Sequence, residues 1–167
     1  MADAIELRGT LEGLAARLAA ERGVRPVLLQ EAGACLDQID QLLGPSGLDD
    51  EDFSGYVRLN ARFHKLLSEM ADSAVLAREI ERASSLPFAS ASGFVGLQAS
   101  KPDARDLLVV AQHQHRQVLQ AIAQREAGRA EALMREHSRI ARQNLALALQ
   151  NPQPSLTPGV QLIQSKR

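Results

Sequence analysis

The chain has 167 residues, of which 45% are hydrophobic, enough to bury one core in a single domain. Its 19 basic and 20 acidic residues leave a net charge of -1 with no basic block, which argues against nucleic-acid binding by this chain alone. Cys35 is the only cysteine, so an intrachain disulfide and a thiolate metal cage are both excluded.

Aromatic residues make up 3% of the chain while leucine and alanine dominate, which favours helix over sheet. No basic and apolar leader opens the sequence, and no run approaches the ~20 apolar residues of a membrane span. These features point to a soluble cytoplasmic protein.

The first predicted helix covers residues 3–21. Ala4, Leu7, Leu11, Leu14 and Leu18 form its apolar stripe, and Gly23 and Pro26 end it. Arg8 flanks that stripe. It is either a surface ion pair with Glu12, one turn on, or a buried clamp for an anion.

The second helix, residues 26–43, starts on Pro26 and carries Leu28, Ala32, Cys35, Ile39 and Leu42 inward. Cys35 on that stripe reads as inert packing. Gly44-Pro45-Ser46-Gly47 is a turn, and Asp49, Asp50, Glu51 and Asp52 favour the start of a third helix reaching about residue 71. Its inward face is Phe53, Val57, Asn60, His64 and Leu67, so two strongly polar side chains interrupt an apolar seam one turn apart. A buried polar group without a partner costs about 1–3 kcal/mol, so Asn60 and His64 call for company inside the protein.

Asp72 and Ser73 cap a fourth helix that ends near Leu86-Pro87. Residues 88–101 are rich in Ser, Ala and Gly and read as a loop, packed in part or serving as a lid. Pro102-Asp103 opens a fifth helix running to about residue 125, and Gly128 separates it from a sixth running to about residue 149.

Leu108, Ala111, His115, Val118 and Ile122 share the inner face of the fifth helix, and Leu133, His137, Ile140, Asn144 and Leu147 that of the sixth. His113 is turned away and belongs to the solvated face. Residues 151–167, with three of the chain's prolines close together, read as a disordered tail outside the 1–150 domain.

The fifth and sixth helices form an antiparallel hairpin about Ala127-Gly128. At ~1.5 Å per residue His115 and His137 both sit roughly 14–17 Å from the turn. They are level with each other and can converge with Asn60 and His64. Taken singly, an inward histidine is commonly a hydrogen-bonded core residue. Three imidazoles and an amide oxygen together suit Zn²⁺, Ni²⁺ or a similar ion.

The paired Glu-x-x-His pattern of di-iron bundles is absent. Because all four ligands are neutral, the ion would keep close to its full charge. It would then attract an anionic small molecule, with Arg8 or Asn144 hydrogen-bonding a carboxylate.

Several segments then resemble one family in order and spacing. They are Glu6-Leu7-Arg8 with Leu11-Glu12 and Ala15-Ala16-Arg17-Leu18-Ala19; Asn60 to His64; Gln114-His115-Arg116 with Val118-Leu119 and Ala121-Ile122; and Ala130 with Met134 and His137. Across residues 3–149 the chain resembles the effector-binding FadR C-terminal domain, or FCD, of GntR-type bacterial transcription regulators. Within that family the vanillate-responsive repressor branch is the nearest likeness.

The resemblance implies an all-α antiparallel bundle of six or seven helices, found as a homodimer. It implies a divalent metal held by Asn60, His64, His115 and His137, and a small carboxylic-acid effector assisted by Arg8. It also implies that DNA is read by an N-terminal winged helix-turn-helix, which this chain does not contain. Asn60 departs from the acidic residue common at its position.

Two other readings stay open. A metal-dependent hydrolase would need a general base, with Glu69 and Glu136 nearest in sequence to the histidines, although Glu136 beside His137 points elsewhere. A helical dimerisation module would use the histidines only as hydrogen-bonded core residues.

Overall fold

Among the described residues six α-helices follow one another: α1 Ala2–Arg22, α2 Pro26–Leu42, α3 Asp50–Met70, α4 Ala74–Ser84, α5 Ala104–Ala123 and α6 Ala127–Gln150. The computed structural model describes residues 2–44, 49–86, 89 and 104–150, the side chains of 104, 141 and 144–150 apart. The fold is all-α, with no strand among the described residues, and no described helix is long and apolar enough to cross a membrane. The 88–101 loop apart from Ala89, and the 151–167 tail, fall outside the described residues.

Each helix begins and ends for a local reason. Pro26 sits in the first turn of α2, where its missing N–H costs nothing. Asp49 accepts from the Asp52 backbone N–H while Asp52 reaches back to the Asp49 N–H, a reciprocal cap on α3. Ser73 accepts from the Leu76 N–H at the start of α4. Gly23 ends α1 at φ 83°, a left-handed conformation that glycine takes without a Cβ clash.

Arginines finish the other ends. Arg22 donates to the carbonyls of Ala71 and Asp72 after α3, Arg105 to those of Leu43 and Gly44 after α2, and Arg125 to that of Glu21 in α1. Carbonyls left over at helix C-termini thus meet positive charge.

Two features differ from the sequence expectation. The α5–α6 turn lies at residues 124–126 rather than at Gly128, which is already inside α6. Arg125 takes the left-handed conformation there, at φ 64°. A hydrogen bond from its guanidinium to the Glu21 carbonyl of α1 ties the residue down, which offsets the cost of that conformation.

The second difference is the face that α1 buries. Leu7 and Leu14 are exposed, and the buried face is Ile5, Arg8, Gly9, Glu12, Gly13, Ala15, Ala16, Ala19 and Ala20. Helix α1 packs most extensively on α6 and also touches α3, α4 and α5. So close an approach needs small residues: a Cβ on Gly9 would lie 2.5 Å from the Cβ of Ser138 on α6. Large leucines are therefore displaced to the flanks, where Leu11 and Leu18 cover a small cluster with Ala15, Leu76 and Ile80.

The main core fills the space between α1, α2, α3 and the α5–α6 hairpin, with Leu36, Ile39, Phe63, Leu66, Val118, Ile122 and Met134 almost wholly buried. Cys35 belongs to it, as its position on the α2 stripe predicts, and its Sγ contacts the Leu59 carbonyl at 3.4 Å.

Candidate metal centre

Polar side chains from four helices meet where α1 crosses α3 and the α5–α6 hairpin. From α3 come Asn60, 2% exposed, and His64, 5% exposed, held on the inner face by the same periodicity that buries Leu67. From α5 comes His115, fully buried, between Ala111 and Val118 on the predicted stripe. From α6 comes His137, which keeps some exposure because Ala130, Met134 and Ser138 make the deeper face.

One nitrogen from each of the three imidazoles can be chosen so that all lie within 4.8 Å of one another. The Nε2 atoms of His115 and His137 are 3.0 Å apart, and the ring centres of His64 lie 5.4 Å from each of the other two. Phe63 packs a tilted ring on His115 at 4.6 Å and closes that side.

The opposite ring nitrogens are also engaged. His64 Nδ1 is 2.8 Å from Glu12 Oε1, His115 Nδ1 is 3.2 Å from Gln112 Oε1, and His137 Nδ1 is 3.2 Å from Gln114 Oε1.

Arg8 and Glu12 complete the cluster from α1. Both are buried, with Arg8 Nη1 3.5 Å from Glu12 Oε1. Of the two sequence readings of Arg8, a surface pair is ruled out, because neither partner reaches solvent. Burial alone would raise the Glu12 carboxyl, but Arg8 and His64 outweigh it and pull it down to about 2. Burial, with the neighbouring imidazoles, pushes His115 well below the ordinary histidine range and His137 down to about 3. Both rings are held neutral, the form that ligates metal.

The described buried side-chain atoms without a hydrogen-bond partner are Arg8 Nε, Glu12 Oε2 and His64 Nε2. All three fall in this one cluster. A buried, unpartnered Nε2 on His64 and one nitrogen from each of the three rings within 4.8 Å of the others fit a divalent cation, so the three histidines are positioned to hold a metal ion.

Of the residues singled out in the sequence, His64, His115 and His137 come together, Asn60 stands one turn from His64, and Arg8 lies beside Glu12. The side chain of Asn144 is outside the described residues. His113 is exposed, with its Nε2 2.9 Å from Gln117 Nε2.

Glu12 and Gln112 are the buried polar residues that sequence reasoning passed over as parts of the site. Each carried a signal. Glu12 continues the Ile5–Arg8 spacing towards Ala16 and Ala19, and Gln112 is three residues from His115 on one helix face.

These shifts make stability pH-dependent. Histidines whose folded pKa is depressed bind protons more readily once unfolded, so their contribution is present above pH 6.5 and is lost as pH falls towards about 3. Glu12 adds a second loss, between its ordinary 4.5 and about 2. Urea melts of chelator-treated protein should therefore show a midpoint that is level above pH 6.5 and declines steadily below it. A midpoint unchanged from pH 6.5 down to 4.5 would contradict burial of neutral histidines.

A family model described as FCD domain matches residues 3–139 of the chain. No curated protein matches it.

Proposed function

The chain belongs to the FCD domain family, regulatory effector-binding domains of GntR-type transcription regulators and not enzymes, and on that premise we propose that it senses a small carboxylic acid at a metal-assisted pocket. The hydrolase reading falls with family membership. The two bases the sequence offered it do not serve, since Glu69 and Glu136 are both exposed and Glu136 pairs with Arg139.

The observation that carries the proposal is the convergence of His64, His115 and His137 within 4.8 Å, with a buried Nε2 unpartnered among them. Asn60 would complete a set of neutral ligands, for which Zn²⁺ or Ni²⁺ is the natural choice. A divalent ion held there supplies a positive centre with open positions for a carboxylate oxygen. Glu12 does not cancel that charge, because Arg8 beside it balances the carboxylate.

The chain's own residues then do the recognition. Arg8, buried and with a free Nε, offers a charge-assisted hydrogen bond to an incoming carboxylate, and Asn144 is the second candidate donor. The water-poor surroundings of Arg8 strengthen its contact. Since α1 touches α3, α4, α5 and α6, an effector that draws on Arg8 biases how these helices pack. In a cytoplasmic homodimer such a population shift would alter the spacing of winged helix-turn-helix heads attached ahead of α1.

A thermal-shift screen of small carboxylic acids, with and without Zn²⁺, tests this reading. At an effector concentration of about 100 times Kd the stabilisation is about 2.7 kcal/mol. For a chain of this size that is a rise of roughly 5–11 °C. The rise should appear in zinc-loaded protein and vanish after chelation. If no carboxylic acid shifts the zinc-loaded domain, the sensor reading is wrong.

A further inference from the structure

We propose that Glu12 and Gln112 are positioning residues of this centre: they accept the Nδ1 protons of His64 and His115, so that both rings turn a bare Nε2 to the same point. This rests on the metal-site reading and goes beyond it by giving roles to two residues that would not touch the ion.

The case for His115 is made by the amide of Gln112. Its Nε2 donates to the Leu36 carbonyl at 3.0 Å and to Asp40 Oδ1 at 2.7 Å, and both of those atoms only accept. The amide therefore cannot be flipped, and the atom facing His115 Nδ1 at 3.2 Å is an oxygen. An amide oxygen has no proton, so Nδ1 must donate. A neutral imidazole carries one N–H, which leaves Nε2 of His115 bare.

Asp40 is fixed in turn by Arg116, which also binds Asp37 at 2.6 Å, so the chain of contacts is anchored on α2.

The case for His64 is made by Glu12. An ionised carboxylate only accepts, and Glu12 is 1% exposed, with Arg8 beside it as counter-charge. His64 Nδ1 at 2.8 Å is therefore the donor, and in the neutral ring Nε2 is bare. Free imidazole side chains in water favour the other tautomer, so the fold imposes this one.

His115 Nε2 then stands bare 3.0 Å from His137 Nε2, an arrangement that a proton or a divalent ion satisfies. Carboxylates and amides behind metal-ligating histidines orient the ring and raise its basicity.

Nitrogen NMR of the whole chain, labelled with ¹⁵N at its four histidines, tests the assignment, with exposed His113 as internal reference. In metal-free protein at a pH where the rings are neutral, His64 and His115 should carry the proton on Nδ1. Added Zn²⁺ should move their Nε2 and not their Nδ1 resonances. A proton on Nε2 of either ring overturns the proposal.

Gln112→Met leaves every charge in place and should weaken Zn²⁺ binding, measured by chelator competition, by about 10–100-fold, with His115 losing its Nδ1–H tautomer. Unchanged Zn²⁺ affinity would overturn the role of Gln112. Wild-type protein that takes up no Zn²⁺ would sink the proposed function, while the tautomers of the metal-free protein would still decide this inference.

Discussion

His115→Ala protein should contain no divalent metal, where wild type purified without chelator or a metal-affinity column should contain about one ion per chain. His115 is the central ring of the site. It is fully buried, its Nε2 lies 3.0 Å from that of His137, and its ring centre is 5.4 Å from that of His64. Alanine there removes one of three imidazoles and leaves His64 and His137 too few to hold a borderline ion tightly.

The effect on stability should be as large as that on composition. Zinc at about 1,000 times Kd stabilises a folded site by about 4.1 kcal/mol. For a chain of this length that corresponds to roughly 8–16 °C in Tm. Wild type should show that gain, and His115→Ala should show none. Elemental analysis read beside the melting curves separates two cases: metal absent from both proteins would leave the cluster as a hydrogen-bonded core, as the dimerisation-module reading has it.

Glu12→Ala should be among the most destabilising single substitutions in α1, at about 3–5 kcal/mol, because it strands the buried Arg8 guanidinium without a counter-charge. The pair is only loosely made: its separation is 3.5 Å, and Arg8 Nε and Glu12 Oε2 have no partner. Replacing both residues by apolar ones of similar size, Arg8→Met with Glu12→Leu, should therefore recover most of the loss.

Two consequences of that double variant differ from its stability. It should bind zinc more weakly, because His64 loses the acceptor on Nδ1, and it should lose the effector response, because the Arg8 donors are gone. A double-mutant cycle in urea gives the coupling directly. Single variants costing no more than about 1 kcal/mol would mean that the pair behaves as a hydrated surface contact, against the burial found here.

Much of the architecture was legible because helix signals are local. Pro26, the acidic run at Asp49–Asp52 with its reciprocal cap, and Ser73 each act within one turn of the chain, and α2, α3 and α4 start where those residues put them. The inner face of α5 was legible for a related reason. That helix buries a single face, so Leu108, Ala111, His115, Val118 and Ile122 recur at helical spacing and all are buried.

Helix α1 was misread because it has neighbours on several sides, and an element enclosed in that way has no single apolar stripe to reveal its orientation. The leucines at positions 7 and 14 mark its flank, and glycine, alanine and two opposite charges mark its interior.

By itself the sequence determined an all-α chain, its capped helices, three inward histidines and a polar seam through Asn60 and His64, since all of these follow from spacing along single helices. The tertiary structure decided which partners those polar groups have. Glu12 is 52 residues from His64, and Gln112 is 76 from the Leu36 carbonyl that fixes its amide. Hydrogen-bond direction depends on atoms brought together across that separation, and no periodicity within one helix encodes it.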